Sequence, residues 1–265
     1  MKREKFGSRL GFILVSAGCA IGIGNVWKFP YLCGQMGGAA FILIYLVFLL
    51  IMGVPVMICE FAIGRGSHFS VAAAFEKLEP EGTRWHISKW IGILGSYLLM
   101  MFYTSVGGWM MYYCFRSIRG DFVGNSAEEV GAKFTKMLAD APNMTFWTIL
   151  ICVLGFTICW FGIQNGIEKV SKVMMSVLMV LMIILAVHSI FLKGAGDGIR
   201  FYLIPDFRKM AEIGIGNVIF GAMSQAFFTL SIGIGAMMIF GSYLERNRSL
   251  AGEALSITGL DTFVA

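Results

Sequence analysis

The sequence predicts an all-α integral membrane protein, and three observations carry that reading. Hydrophobic residues make up 57% of the chain and charged residues 14%, with a mean hydropathy of +0.76. A soluble domain carries about 25% charge. Six stretches reach the roughly 20 apolar residues that a spanning helix needs: about 10–33, 39–61, 90–115, 146–163, 173–192 and 216–243, with a seventh opening near 250 and running to Ala265. Two of these stretches are interrupted at their centres by glycines and polar residues. In lipid every backbone N–H and C=O must be satisfied, so irregular backbone survives only where it lines a cavity or is buried in protein.

The first interruption is Gly18-Cys19-Ala20-Ile21-Gly22-Ile23-Gly24-Asn25-Val26-Trp27-Lys28-Phe29-Pro30. Three glycines, an asparagine, a lysine and a proline serve no purpose in a plain anchor. They point to a site at membrane depth built partly from freed backbone groups. The first two stretches form a hairpin that turns at Gln35-Met36-Gly37-Gly38. The second interruption is Gln225-Ala226-Phe227-Phe228-Thr229-Leu230-Ser231-Ile232-Gly233-Ile234-Gly235. Thr and Ser in a membrane helix can simply bond their own i−4 carbonyl, and that reading stays open. Two interrupted spans, one early and one at the start of a second half, are nevertheless the pointer to a transporter site between structural repeats. Ile21-Gly22-Ile23-Gly24-Asn25 recurs as Ile213-Gly214-Ile215-Gly216-Asn217, but the copy follows Asp206, Arg208, Lys209 and Glu212 and reads as a helix entrance near water.

Lys and Arg set the orientation. With the N-terminus inside, twelve fall on the inner side and eight on the outer, with Lys28 inside a span. The first flank, Lys2, Arg3, Lys5 and Arg9, is strongly basic, so the N-terminus is placed in the cytoplasm and the net charge of +5 reads as topology. A secretory leader is a poorer reading, because the run is long and contains Asn25 and Lys28. No basic and aromatic interleaving suggests nucleic acid. Cys19, Cys33, Cys59, Cys114, Cys152 and Cys159 form no CxxC pair and read as small hydrophobes. His68, His86 and His188 share no metal-ligand spacing. With no Ser-His-Asp set, phosphate-cradling loop or paired carboxylate, the sequence gives an enzyme reading no support.

Gly18 to Pro30, then Gly37-Gly38-Ala39-Ala40-Phe41, then Pro55 followed by Glu60-Phe61-Ala62-Ile63-Gly64-Arg65, resemble the neurotransmitter:sodium symporter family, in particular its bacterial amino-acid transporters. Tyr103 followed by Trp109, and Phe227 to Gly233, fit in order and spacing. The resemblance covers the whole chain. It implies a LeuT-like inverted-repeat transporter fold: a single domain over 1–265, with a first five-helix repeat at 10–192 and the start of a second at 216–265. Family members have eleven or twelve spans, so the chain reads as a fragment or a truncated product. The remaining helices of the same transporter are expected partners, besides an amino acid and membrane lipid. The implied location is the cytoplasmic (inner) membrane.

The resemblance implies a site. A substrate carboxylate would meet the backbone N–H groups of Ile23 and Gly24 and the hydroxyl of Tyr103. The ammonium would meet the carbonyls of Ala20, Phe228 and Thr229, with the hydroxyl of Ser231. Leu99, Tyr103, Val106 and Ile234 would line the pocket. Amine-transporting relatives carry an aspartate at the position of Gly22, so Gly22 leaves room for a ligand that brings its own carboxylate. A first Na⁺ site would use Ala20, Asn25, Thr229 and Asp261; a second, incomplete here, would use Gly18 and Ile21. Chloride-dependent relatives bind the anion near positions matching Tyr45, Gln225 and Thr229. The Asp261 charge would stand in for it, making chloride unnecessary, with a relocated chloride site as the alternative. Glu60 would brace the broken sixth span. Lys28 would belong to an outer gate, and Arg3, Phe6 and Tyr243 to an inner one. Two bland readings stand beside these: Asp261 as a helix N-cap and Glu60 as a residue at the membrane edge. The function implied is Na⁺-coupled symport of an amino acid by alternating access. The rival is a truncated, non-transporting relative acting as an interaction module.

Overall fold

The computed structural model describes residues 9–265. Its elements are helical throughout, and the first break falls where the glycines are. Helix α1 (Arg9–Ala20) ends at Ala20, and a π turn at Gly24–Lys28 leads into α2 (Phe29–Gln35). The two halves are bent by 49° and together are long and apolar enough to cross a membrane. The hairpin turn follows at Met36–Gly38, with Gly37 at φ 91° and Gly38 at φ 63°. These left-handed conformations are cheap only for glycine. The second span runs from α3 (Ala39–Phe48) through a π turn (Leu49–Gly53) into α4 (Val54–Ser67). Continuous apolar helices also cover Trp85–Ile118, Ala141–Trp160 and Ile163–Ile190. They contain α6 (Ser88–Ile118), α8 (Ala141–Trp160) and α9 (Lys169–Ile190). A short α5 (Val71–Leu78) precedes α6, and α7 (Ala127–Ala139) lies between α6 and α8.

The fifth span begins about ten residues before the expected 173, at a π turn over Ile163–Glu168. Charged Glu168, Lys169 and Lys172 masked that start. Glu168 and Lys172 cancel as an i,i+4 ion pair at 2.7 Å. The sixth stretch is two short helices rather than one long one. Past α10 (Ala195–Leu203) and α11 (Phe207–Ile213), α12 (Ile215–Thr229) and α13 (Ala236–Gly241) are separated by a turn over 230–235. The chain closes with α14 (Leu250–Val264). The Asn217 amide donates to the Ile213 carbonyl at 3.3 Å, so the second IGIGN copy ends one helix and opens the next.

Two compact units are present: one comprises the described residues up to Ile93 together with Ile163–Ala265, the other Leu94–Gly162. In the second, α6 and α8 approach closely at Gly108, where an added Cβ would lie 2.9 Å from the Thr148 nitrogen. Tyr113 stacks on Phe122 at 5.2 Å. Helix α7 starts on a capping box, with Ser126 and Glu129 bonding each other's backbone. Trp160 is 88% exposed at the end of α8, and Phe156 is also exposed. A single chain does not sustain such apolar surface in water.

The first unit holds the core. The Phe29 ring tilts against Phe41 and Tyr45, which stack on each other, with Phe29 and Tyr45 rings 4.9 Å apart. Helices α4 and α13 lie backbone to backbone. A Cβ on Gly241 would sit 2.7 Å from the Phe61 backbone, and one on Gly64 would overlap the Met238 carbonyl. Even one methyl in such a contact forces the helices apart. Gly64→Ala is therefore expected to lower stability by about 1–3 kcal/mol, read as an earlier thermal unfolding in detergent. Gly22→Ala, with nothing within 4 Å of its added Cβ, should leave it unchanged.

Candidate functional site

Loss of regular helix between Ala20 and Gly24 turns local polar groups toward new partners. The Gly22 N–H points at the Asn25 side-chain oxygen, 3.5 Å away, instead of continuing the ladder. Asn25 and Val26 N–H both donate to the Gly22 carbonyl at 3.2 Å. Asn25, now 1% exposed, reaches α14. Its amide nitrogen donates to the Asp261 carboxylate at 2.9 Å and to the Asp261 carbonyl at 3.1 Å.

From the other side, α12 supplies two residues one turn apart and thus on one face. Gln225 donates to the Gly24 carbonyl at 2.9 Å. The Thr229 hydroxyl lies 3.1 Å from the Asn25 oxygen and 3.2 and 3.1 Å from the two Asp261 carboxylate oxygens. Asn25, Thr229 and Asp261 thus form one buried cluster of hard oxygen ligands. Asp261 is fully buried, and among the described residues its carboxylate takes part in no ion pair. An uncompensated buried carboxylate is costly. It is no N-cap: it lies in the last described turn of α14, whose N-cap is Ser249, accepting from the Gly252 N–H at 3.2 Å.

The second break is braced by Glu60. The turn over 230–235 contains Ser231 at φ 52°, Gly233 at φ 91° and Gly235 at φ 80°. One Glu60 oxygen accepts from the Gly233 N–H at 2.7 Å and the other from Met237 at 3.0 Å. Glu60 is 4% exposed, so its carboxylate faces the protein interior. Left-handed backbone at a non-glycine costs on the order of 1–2 kcal/mol. At Ser231 that cost is offset by its hydroxyl, which donates to the Cys19 carbonyl at 2.9 Å and so joins the two breaks.

The expected site residues fall as follows. Gly18, Ala20, Ile21, Gly22, Ile23 and Gly24 lie at or beside the first break, and Phe228, Thr229, Ser231 and Ile234 at or beside the second. The Phe228 ring lies against Gly24, with its nearest atom 3.2 Å from an added Cβ, and Lys28 sits over that ring at 3.8 Å. Leu99, Tyr103 and Val106 share one face of α6 within the other compact unit. Tyr243 is half-buried just past α13, and Arg3 and Phe6 fall outside the described residues. Three contacts were not expected from sequence: Gln225 on the Gly24 carbonyl, Ser231 on Cys19, and Arg9 with Glu253 at 2.9 Å. Only the first left a signal, the i,i+4 spacing of Gln225 and Thr229.

Two broken helices that meet around a buried polar cluster are a recurring feature of inverted-repeat transporter folds. The profile of the Sodium:neurotransmitter symporter family matches residues 3–130 and 128–265. An uncharacterized sodium-dependent transporter of Bacillus subtilis, YhdH, is 34% identical over 263 residues, covering 99% of this chain and 57% of that protein. The sodium- and chloride-dependent taurine transporter of Bos taurus is 31% identical over 285 residues, covering 91% and 44%. The crystal structure of MhsT in complex with L-phenylalanine superposes with a TM-score of 0.89 at 40% identity, covering 99% of this chain and 59% of that one. The chain belongs to the sodium:neurotransmitter symporter family, and it spans between 44% and 59% of the length of these relatives.

Thr229→Val keeps the shape of the side chain but removes the hydroxyl shared by Asn25 and Asp261. A buried charged acceptor short of a donor costs about 1–3 kcal/mol. Thermal unfolding should come earlier for Thr229→Val, while Thr229→Ser, which keeps the hydroxyl, should retain most of the stability.

Proposed function

We propose that the protein is a Na⁺-coupled amino-acid symporter of the cytoplasmic membrane, with its N-terminus inside, working by alternating access. One observation carries the cation: the Asp261 carboxylate is fully buried against the Asn25 amide and the Thr229 hydroxyl, and among the described residues it makes no ion pair with a basic side chain. A bound Na⁺, handled here as cargo, would supply the missing positive charge, and hard oxygens are the ligands an alkali cation prefers. The Ala20 carbonyl would add to this first site. Gly18 and Ile21 would contribute to a second, whose other ligands lie elsewhere in the transporter.

The substrate reading rests on the first break. Nothing lies within 4 Å of an added Cβ at Gly22, so there is open space beside the half-helix that begins there. Backbone N–H groups and the positive end of a helix favour a carboxylate, and MhsT, the 40% identical neighbour, is described in complex with L-phenylalanine. Ile23 and Gly24 would bind the carboxylate. Ala20, Phe228, Thr229 and Ser231 would meet the ammonium, with Ile234 lining the pocket. Lys28, Arg3, Phe6 and Tyr243 would act in gating, and Glu60 in holding the second break.

Asp261 also bears on chloride. Its carboxylate already occupies the Thr229 hydroxyl, which would place a fixed negative charge where chloride-dependent relatives need an anion. A second reading, an anion bound beside Tyr45, is favoured by the Tyr45 hydroxyl, which is buried and makes no close hydrogen bond among the described residues.

Asp261→Asn keeps an oxygen ligand and removes one charge. Measured as Na⁺-dependent amino-acid binding, the variant should need more Na⁺ than wild type in gluconate, and chloride should recover part of the loss. Indistinguishable Na⁺ curves in both salts would end the assignment. A wild type that itself requires chloride would favour the anion beside Tyr45. Gly22→Asp should abolish amino-acid binding, because two carboxylates close together in a low dielectric repel strongly. Unchanged affinity would sink the substrate pose.

A further inference from the structure

Helix α10 carries two different faces. Asp197, Arg200 and Phe201 recur at i, i+3 and i+4 and so share one side. With Ile204, just past the helix end, they line an open cavity of about 570 Å³, which Arg208 and Lys209 complete from α11. The hairpin turn between the first two spans contributes too: Gly37 lines the cavity, and a Cβ at Gly38 would overlap the Phe201 carbonyl. Ile199, Tyr202 and Leu203 stand on the other side of α10, and all three are exposed.

The cavity holds three basic side chains, Arg200, Arg208 and Lys209, and two acidic ones, Asp197 and Asp206. Among the described residues none of the five makes an ion pair. Lys209 lies 5.0 Å over the Phe201 ring. Asp206 is engaged with the backbone: its Oδ1 accepts from the Arg208 and Lys209 N–H groups at 3.0 and 3.1 Å. The amides that open α11 are therefore taken. What the cavity offers an incoming group is cationic side chains beside the apolar surface of Phe201, Ile204 and Phe207.

Chain topology puts this cavity at a membrane surface. The apolar helix Ile163–Ile190 ends just before α10, and α12, the first half of the sixth stretch, opens just after α11. A helix between two spans with an exposed apolar face lies in the interface, its apolar side chains at the acyl boundary. Tyr202 is the residue type enriched at that depth. Leu203, Ile204 and Phe207 are each more than half exposed. A soluble anion would use the cations and leave these side chains in water. A phospholipid uses both, because guanidinium groups match phosphate oxygens two at a time and acyl chains cover the apolar side chains.

We propose that this cavity holds the headgroup of an anionic phospholipid, its phosphodiester among Arg200, Arg208 and Lys209 and its acyl chains leaving past Ile204 and Phe207. Ile199, Tyr202 and Leu203 set α10 in the interface, so that the cavity opens at headgroup depth. With the N-terminus inside, as proposed above, the lipid belongs to the outer leaflet. Its binding depends on neither the cation nor the amino acid. Because α10, α11 and the hairpin turn all line the cavity, a lipid seated there ties the three together.

Purified protein in a neutral detergent is given phosphatidylglycerol or phosphatidylcholine. Retained lipid is counted by native mass spectrometry, and thermal unfolding is followed in parallel. Wild type should retain phosphatidylglycerol in preference and be stabilised by it. Arg200→Gln and Arg208→Gln should each weaken that retention about fivefold, the usual share of one basic side chain at an anionic surface. Asp197→Asn removes a like charge and should strengthen it. Without added lipid these variants should unfold with the wild type, which separates loss of lipid from loss of fold. Lys193→Gln, a charge change in the turn before α10 and outside the cavity, should alter nothing. Equal retention by wild type and both arginine variants, or an equal loss on Lys193→Gln, would overturn the site. So would phosphatidylcholine held as well as phosphatidylglycerol. Inorganic phosphate displacing the lipid at equal concentration would make it a site for a soluble anion instead. Should an arginine variant unfold early, Asp197→Asn decides alone: retention no better than wild type ends the proposal.

Discussion

Backbone broken at membrane depth must find hydrogen-bond partners inside the protein, because lipid offers none. The first unit is organised around that need. Each break is satisfied by side chains from other helices: Gln225 serves the Gly24 carbonyl, Ser231 the Cys19 carbonyl, and Glu60 the N–H groups of Gly233 and Met237. The bonds between the breaks run from side chains of the second segment to oxygens of the first, so the first break is satisfied only with the second segment in place. The polar cluster follows from the same arrangement. Asn25 reaches Asp261 because the helix before it has ended, and Thr229 meets both because it stands at the last turn before the second break.

Close packing complements these bonds. Glu60 can serve the second break only if α4 lies against α13, and Gly64 and Gly241 permit that approach. The acid and the glycines act as one device: the glycines set the distance and the carboxylate uses it. The cost of burying the charge is offset by two backbone donors, and charge-assisted bonds of this kind are about twice as strong as neutral ones.

Much of this was legible in the residues, for identifiable reasons. Long apolar runs give spans directly, and glycines beside Asn25 and Ser231 mark irregular backbone because no lipid-facing helix benefits from them. The hairpin turn at Gly37 and Gly38 was readable from glycine chemistry. The fifth span was misjudged because charges that look disruptive in a line of sequence cancel one turn apart, as Glu168 and Lys172 do. The role of Asp261 could not be separated from a cap by sequence, because the difference lies in the start of α14 and in burial, both fixed by tertiary packing. Arg9 with Glu253 left no trace, since nothing local links positions so far apart.

Glu60 sets an order on assembly. The broken form of the sixth stretch is held by a carboxylate that lies 173 positions earlier, on α4. A ribosome delivers α4 first, so the acid is present before the groups it must hold exist. Until α12 and α13 emerge, that acid has no such donors. The later stretch, in turn, has no carboxylate to hold its freed N–H groups at 233 and 237 until it docks on α4. The second break is thus a product of association between helices already in the membrane, and its shape is written as much in the second span as in the sixth.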